Sequence, residues 1–500
     1  MSRTWLALIL GVASAALAVA GVEIDSAGWL GWVALVPVLI PCLFFKDRYA
    51  PAVLAGLGFG AGMGGGLFRW LIVDGRWIEW GSNVLSFSVL GLVWSWLVWR
   101  YAKLPAPVDR IPAKPKRLQP LLPSRADTAA AWAGSIAHLR VAMITAAGWT
   151  VLEWARGLIM PAWNPLGLAI AGDLPLLQLT KATGPLGLST MLVFANVIVL
   201  TSVRRLAREP GRMSWAGRFD VTATLAAIFL CALAGFYSLT HPSENVLRRK
   251  VLCASVRNAD TGSLAALSRA AGAPGFDLLV WREAVFNPAG YGKLSELGIG
   301  KSTGLFSGVA GAPGRGLIGS RTVLPGTVTS LFAPLNNAAF FVPFSTAPVR
   351  NLTPFSYRDA SWLPLLNWQG GAPPLLRTAL TTQAAVWIVL FDVPGRSRWA
   401  GRQLRNNLKL WAAAYGRALI FSGRGAGSLL QSPTGRVMAQ TREEPSAAVT
   451  ADLETPLFNA ETLYARLGDW WPVAMGVVVL FFALSERLQR VYAPPRRFRS

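Results

Sequence analysis

The chain has 500 residues, 53% of them hydrophobic and 15% charged, with Lys+Arg 48 against Asp+Glu 25 and a formal net charge of +23. Soluble domains carry about 25% charged residues, so this composition points to a membrane protein and excludes a disordered chain, a coiled coil and a disulfide scaffold. With 3 cysteines and 2 histidines the chain has no material for a Cys-rich metal cluster or a Ser-His-Asp arrangement, and no metal or cofactor is expected.

Crossing a bilayer takes about 17–25 apolar residues. Such runs fall at 5–22, 28–45, 51–73, 84–101, 130–156, 183–203, 219–240 and 470–487. In the first, Arg3 precedes an apolar stretch ending in small residues, which is also the shape of a secretory signal; the charge pattern favours eight spans. The third is seeded with Gly56, Gly58, Gly60, Gly62 and Gly64, a spacing that suits close helix packing. The fifth contains His138, Arg140, Glu153 and Arg156, which places its apolar core at 141–155. Glu153 and Arg156 lie one turn apart and are spaced to pair within the bilayer, where ionisable groups mark functional or locking contacts.

Connections alternate in charge. Glu23 and Asp25 follow the first span, and Asp74, Arg76 and Glu79 the third. Lys46 and Arg48 follow the second, Lys103 to Arg125 the fourth, Arg204 to Arg218 the sixth and Arg487 to Arg499 the last. The positive-inside rule then puts both termini in the cytoplasm and the long segment between the seventh and eighth spans outside. Much of the basic excess is thus an orientation signal beside anionic lipid, which argues against nucleic acid as a partner. The Pro- and Lys-rich stretch 104–125 reads as a cytoplasmic loop. Residues 157–182, with Trp163-Asn164-Pro165 and Asp173-Leu174-Pro175, are too interrupted to span. They form a re-entrant segment shaping a lipid entrance or an interfacial anchor.

The outer segment carries short apolar runs at Lys250–Ser255, Asp277–Trp281, Leu317–Val323, Ala339–Pro343, Val386–Leu390 and Ala418–Ser422, with helical stretches at Ser263–Ala271 and Gly401–Tyr415. Strands alternating with helices predict α/β layers. Three domains follow: a seven-span bundle over 1–247, the outer domain over 248–468, and a last helix with a basic tail over 469–500. Gly298-Ile-Gly-Lys301-Ser302-Thr303 imitates the tail of a phosphate loop, but Ser295 stands where its first glycine is needed.

Several motifs, in order, carry a resemblance. The membrane half has Trp149-Thr-Val-Leu-Glu153-Trp-Ala-Arg156-Gly157, Trp163-Asn-Pro-Leu-Gly167, Pro175-Leu-Leu-Gln178-Leu and Gly184-Pro-Leu-Gly187-Leu-Ser. The outer segment has Phe276-Asp-Leu-Leu-Val-Trp281-Arg-Glu283, Ser432-Pro-Thr-Gly435-Arg436-Val and Leu463-Tyr-Ala-Arg466-Leu-Gly468-Asp469-Trp470. Together they resemble the apolipoprotein N-acyltransferase family, membrane-embedded members of the nitrilase (carbon-nitrogen hydrolase) superfamily. The resemblance implies a polytopic helical membrane bundle of about eight spans plus an αββα nitrilase-like sandwich. It also implies the bacterial inner membrane, with that domain in the periplasm. Family members move an acyl chain from a phospholipid to the amino terminus of a lipoprotein. A Cys thiolate takes the acyl group, a Glu acts as base and a Lys steadies the oxyanion, because a thiol needs a base and the tetrahedral intermediate a donor.

Carried over residue by residue, Glu283 matches the base. At the lysine position stands Val349, leaving its neighbour Arg350 as the candidate oxyanion donor, with a guanidinium in place of an ammonium. The stretch compared with the nucleophile, Arg377-Thr-Ala-Leu-Thr381-Thr382-Gln383, holds no cysteine, and Thr381 offers only a hydroxyl. No cysteine follows Cys253. The expected function is a non-catalytic relative, a pseudoenzyme binding phospholipid, lipoprotein or a membrane-protein partner during envelope lipoprotein maturation. The alternative is an active N-acyltransferase with a non-Cys mechanism.

Overall fold

The computed structural model describes residues 2–105, 125–160, 164–208, 218–241, 246–255, 261–272, 275–286, 304–309, 316–319, 354–357, 360–366, 384–391, 398–423, 427–441, 447–456 and 461–491. Among them, eight helical segments are long and apolar enough to cross a membrane. The first is α1 (Arg3–Glu23); a 3-10 run over Asp25–Trp32 leads into α2 (Val36–Phe44) as the second. The third run breaks at Phe68 into α3 (Ala50–Leu67) and the short α4 (Arg69–Val73), just past the Gly64-Gly65-Gly66 stretch, where helix propensity is lowest. Then come α5 (Trp77–Tyr101), α6 (Arg125–Ile159), the short α7 (Leu174–Leu177) and α8 (Thr180–Thr183), α9 (Pro185–Arg208) and α10 (Phe219–Thr240).

The fifth helix runs well beyond its apolar core because its polar residues find partners. His138 Nδ1 lies 3.3 Å from Asp220, which Arg205 also holds at 2.9 Å. Glu153 accepts the backbone N–H of Leu166 at 2.8 Å, and the Arg156 guanidinium lies 4.3 Å over the Phe87 ring. At the bundle end far from the α/β domain, Glu486 of the last span pairs with Arg100 and Lys103 at the end of α5. There too, Lys46 Nζ donates to the carbonyls of Trp99 and Ala102 at 2.8 and 3.1 Å, closing orphan carbonyls of that helix. Helix α3 is clasped between α1 and α5. A Cβ on Gly60 would come 2.0 Å from the Phe87 carbonyl oxygen, and one on Gly56 2.2 Å from that of Gly91. The glycine spacing in the third span therefore serves backbone approach.

The outer domain begins with β1 (Val246–Ser255), α11 (Thr261–Ala270), β2 (Leu278–Phe286), β3 (Gly304–Val309) and β4 (Gly316–Gly319). It continues with β5 (Phe355–Tyr357), β6 (Ala360–Leu366), β7 (Val386–Phe391), α12 (Arg398–Tyr415), β8 (Ala418–Gly423), β9 (Gly427–Gln431), β10 (Val437–Gln440) and β11 (Ala447–Pro456). Then α13 (Leu463–Leu467) leads into the last span, α14 (Trp470–Val491). The strands form two sheets, ordered β11-β1-β2-β3-β4 and β10-β9-β8-β7-β6-β5. Each has a parallel centre, β1-β2-β3 in one and β6-β7-β8 in the other.

Alternation along the strands assigns the layers. Val251, Cys253, Leu278 and Val280 of the first sheet form one core with Trp362, Ile388 and Ile420 of the second. On the first sheet's other face, Leu279 and Trp281 meet α11, where Trp281 Nε1 donates to Ser268 Oγ at 3.0 Å. On the second sheet's other face, Trp387, Val389 and Phe421 meet Leu404, Leu408 and Tyr415 of α12. That is the αββα order. The expected strand at Ala339–Pro343 lies outside the described residues, and of Leu317–Val323 the described part is in β4.

Two glycines make opposite predictions for thermal unfolding of the detergent-purified chain. Gly60→Ala drives a methyl into the Phe87 carbonyl and should sharply lower the midpoint. Gly81→Ala, with nothing within 4 Å of its Cβ, should leave the midpoint unchanged or raise it, by up to about 1 kcal/mol of stability.

Candidate functional site at the membrane–domain junction

Of the expected catalytic positions, Glu283 falls in β2, in a stretch where the ladder to β3 slips. Trp281 pairs with Ser307 and the next pair is Phe286 with Val309, so more residues pass on β2 than on β3. Irregularities of this kind re-aim side chains and recur beside sites. Arg350 and Thr381 lie outside the described residues, so of the three candidates only the backbone position of Glu283 is placed. In sequence, Thr381 comes shortly before β7 begins at Val386, whereas ligands of parallel sheets gather at carboxyl ends of strands. The strand preceding that whole stretch is β6, which ends at Leu366 and continues in sequence as Asn367-Trp368-Gln369.

All three cysteines are placed. Cys42 is buried in α2, Cys231 is half-buried in α10, and Cys253 is buried in the middle of β1, facing the second sheet. Burial pushes the Cys253 thiol well above its ordinary pKa, the reverse of what a nucleophile needs.

The motifs that carry the family resemblance converge at one place, where the outer domain sits on the helix bundle. Asn164 donates its backbone N–H to Asn407 Oδ1 at 2.9 Å, and Asn407 Nδ2 donates to Asn164 Oδ1 at 2.7 Å and to the Gln403 carbonyl at 2.9 Å. Both asparagines are buried, at 0% and 1% exposure. Asn164 has φ 49°, the one non-glycine residue in the left-handed region among the described residues, and asparagine tolerates that conformation well. Gln403 reaches further into the bundle. Its Nε2 donates to the Leu67 carbonyl at 2.6 Å and to Glu23 at 3.1 Å, while its Oε1 accepts from Trp70 Nε1 at 3.0 Å.

A second set of contacts ties down the segment 166–184. Gly167 donates its N–H to Ser189 Oγ at 2.9 Å, and Gln178 Nε2 donates to the Thr434 carbonyl at 2.7 Å. Gly435, at φ +85°, lies so close to Leu177 that a Cβ would come within 2.4 Å of it. Gly184, at φ +70°, is pressed against the Tyr464 ring in the same way. Asp469 then accepts from Trp154 Nε1 at 2.8 Å and from Tyr464 OH at 3.1 Å, and Trp470 Nε1 donates to the Ala182 carbonyl at 2.7 Å. The interrupted segment 157–182 is therefore, where described, a buried shelf that receives the outer domain.

Electrostatics at the shelf are dominated by burial. Lys181, in α8, is pushed down to about 8 by burial alone, and burial also lowers Lys409 and Arg417 on the domain side. Among the described residues no cluster of His, Cys, Asp and Glu could hold a metal ion.

Residues 14–198 match the family model of the apolipoprotein N-acyltransferase N-terminal domain. Solved structures similar to the chain include an amidase from Nesterenkonia sp., 18% identical, covering 46% of this chain and 100% of that chain with a TM-score of 0.32. A cysteine variant of the Nesterenkonia AN1 amidase from the nitrilase superfamily is 17% identical and covers 45% of this chain and 97% of that one, TM-score 0.32. No curated protein matches the sequence. The helix bundle is thus similar over residues 14–198 to the N-terminal domain of the apolipoprotein N-acyltransferases, and the residues between the seventh and eighth spans fold as an α/β domain of two packed sheets.

Replacing Asn407 by Leu orphans the Asn164 backbone N–H and side-chain Oδ1 and should destabilise the protein by about 2–4 kcal/mol, read as a lower thermal midpoint in detergent. Lys181 sets a pH dependence. Its folded pKa of about 8 lies below the ordinary 10.5, so between those values the unfolded chain binds more protons and stability rises with pH. Lys181→Met should flatten that rise and stabilise the protein at neutral pH; an unchanged slope contradicts the assignment.

Proposed function

We propose that this protein is a non-catalytic relative of the N-acyltransferases, which holds a phospholipid or lipoprotein in its outer cleft without forming an acyl-enzyme. The observation that carries the reading is the split between retained and lost residues. Every motif that docks the domain on the bundle is present and engaged, from Asn164 and Gln178 to Gly435 and Asp469. The three cysteines, by contrast, sit inside a strand or inside spans. By resemblance the nucleophile ends a strand and is followed by Tyr-Glu; at the end of β6 the chain reads Asn367-Trp368-Gln369. An amide in that place supplies no nucleophile. Loss of a nucleophile that works as part of a unit costs about 10⁶-fold in turnover.

In this reading the bundle covers 1–247, the outer domain 248–468 and the terminal helix with its basic tail 469–500. The protein resides in the bacterial inner membrane with both termini cytoplasmic and the sandwich periplasmic, as the basic connections at the far end of the bundle indicate. A membrane protein that receives or delivers lipoproteins is the partner class that fits. Retention of Glu283 in the irregular stretch of β2 favours the second reading, acyl transfer by a non-Cys mechanism assisted by that carboxylate.

The test incubates purified full-length protein with a radiolabelled phospholipid and a diacylated lipopeptide. Saturable, reversible binding with no triacylated product and no hydroxylamine- or alkali-labile adduct is expected, and Glu283→Gln should leave the binding unchanged. Product formation abolished by Glu283→Gln would establish the enzymatic reading instead.

A further inference from the structure

Two spans, α10 and α14, bury the smallest share of their length in the bundle, and both lean on α6 and α9. At the bundle end far from the α/β domain they flank α6. Phe219, at the start of α10, meets Trp132 with ring centroids 4.5 Å apart, and the Phe482 ring of α14 lies 5.0 Å from the Arg140 guanidinium. Trp132, Ile136 and Arg140 follow at four-residue steps and so form one row on the α6 surface. The row stays open: Trp132 is 41% and Ile136 57% exposed, and Arg140 is exposed as well. Three residues further inward, Met143 continues it, half-buried. A shallow groove therefore faces the bilayer between α10 and α14, with this row as its floor.

Charge gives the chemistry of what fills it. Arg140 has no carboxylate partner among the described residues. The acids of this end are engaged elsewhere: Glu486 with Arg100 and Lys103, Asp220 with Arg205 and His138, and Asp47 with Arg3. Arg218, exposed directly before Phe219, adds a further cation at the mouth of the groove. Phe482 lies one turn inward of Glu486, which puts the Arg140 guanidinium about 6 Å deeper than that charged end. A cation on a lipid-facing surface at such depth is costly unless an anion meets it. Guanidinium forks match phosphate oxygens, and basic pockets between spans suit anionic head groups.

We infer that an anionic phospholipid of the leaflet far from the α/β domain binds in this groove. Its phosphate rests on Arg140, its head group lies beside Trp132, and an acyl chain runs inward over Met143. Helical side chains lean toward the helix N-terminus, so Arg140 reaches outward along α6, toward Ile136 and the head groups. The lipid fills the space that α10 and α14 leave between them. This site lies at the end of the spans opposite the outer domain and is independent of whether acyl transfer persists.

The experiment is native mass spectrometry of the full-length protein released from nanodiscs of equal phosphatidylglycerol and phosphatidylethanolamine. Wild type should retain phosphatidylglycerol in preference. Arg140→Gln should lower that preference about five-fold. Ile136→Trp, which keeps every charge and fills the floor of the groove, should lower retention as well, so the test does not rest on one variant. Arg48→Gln removes an exposed cation from the connection between α2 and α3 at the same end and should leave the preference unchanged. No preference in wild type, or an equal loss in Arg48→Gln and Arg140→Gln, would overturn the inference. So would a detergent-stable dimer that Ile136→Trp dissociates and that retains no lipid, since the groove would then belong to a second copy of the chain.

Discussion

Two asparagine side chains, Asn164 from the membrane half and Asn407 from α12, exchange hydrogen bonds in a place with no access to water. A buried amide that loses its partner keeps the cost of its dehydration, so neither half of this contact tolerates separation. The pair fixes the angle and depth at which α12 meets the bundle, and Gln403 repeats the arrangement one turn away with Glu23, Leu67 and Trp70. Helix α12 also backs the second sheet through Leu404, Leu408 and Tyr415. One apolar cluster therefore runs from the spans through this helix into the sandwich. The outer domain continues the core of the bundle.

That continuity separates framework from chemistry. Residues that dock the domain are selected by packing and hydrogen-bond geometry, and they can persist after a reactive centre has gone. Gly184 against Tyr464, Gly435 against Leu177 and the Asp469 carboxylate shared by Trp154 and Tyr464 need no catalysis to explain them. The match of residues 14–198 to the N-terminal domain model falls on the half that provides the shelf.

Much of this was legible in the sequence, and the exceptions have physical causes. The spans were readable because a bilayer demands length and hydropathy, although the fifth helix extends past 141–155 once His138 finds Asp220 and Glu153 finds Leu166. Strands β2, β7 and β8 announced themselves as unbroken apolar runs. Strand β6 did not, because Pro364 interrupts Ala360–Leu366 and proline ordinarily marks an edge; here it sits within the parallel pairing to β7, opposite Ile388. The junction was also invisible as a site. Asn164, Gln403 and Asn407 carry no spacing rule, since their partners lie far away in sequence, Asn407 being 243 residues from Asn164. Glu153 and Arg156 were readable as a polar turn, but not as the holders of Leu166 N–H and the Phe87 ring. Of the expected catalytic set, Glu283 is placed on β2, while Arg350 and Thr381 fall outside the described residues.

The most direct measurement is hydrogen–deuterium exchange on the full-length protein in a bilayer, followed over residues 164–170 and 398–415. Docking through a shared core predicts that both segments exchange as slowly as the β7 and β8 strands and that added denaturant opens them together. Fast exchange of 398–415 beside fully protected β7 would mean that the helix, and with it the outer domain, rides loosely on the bundle, and would contradict the account.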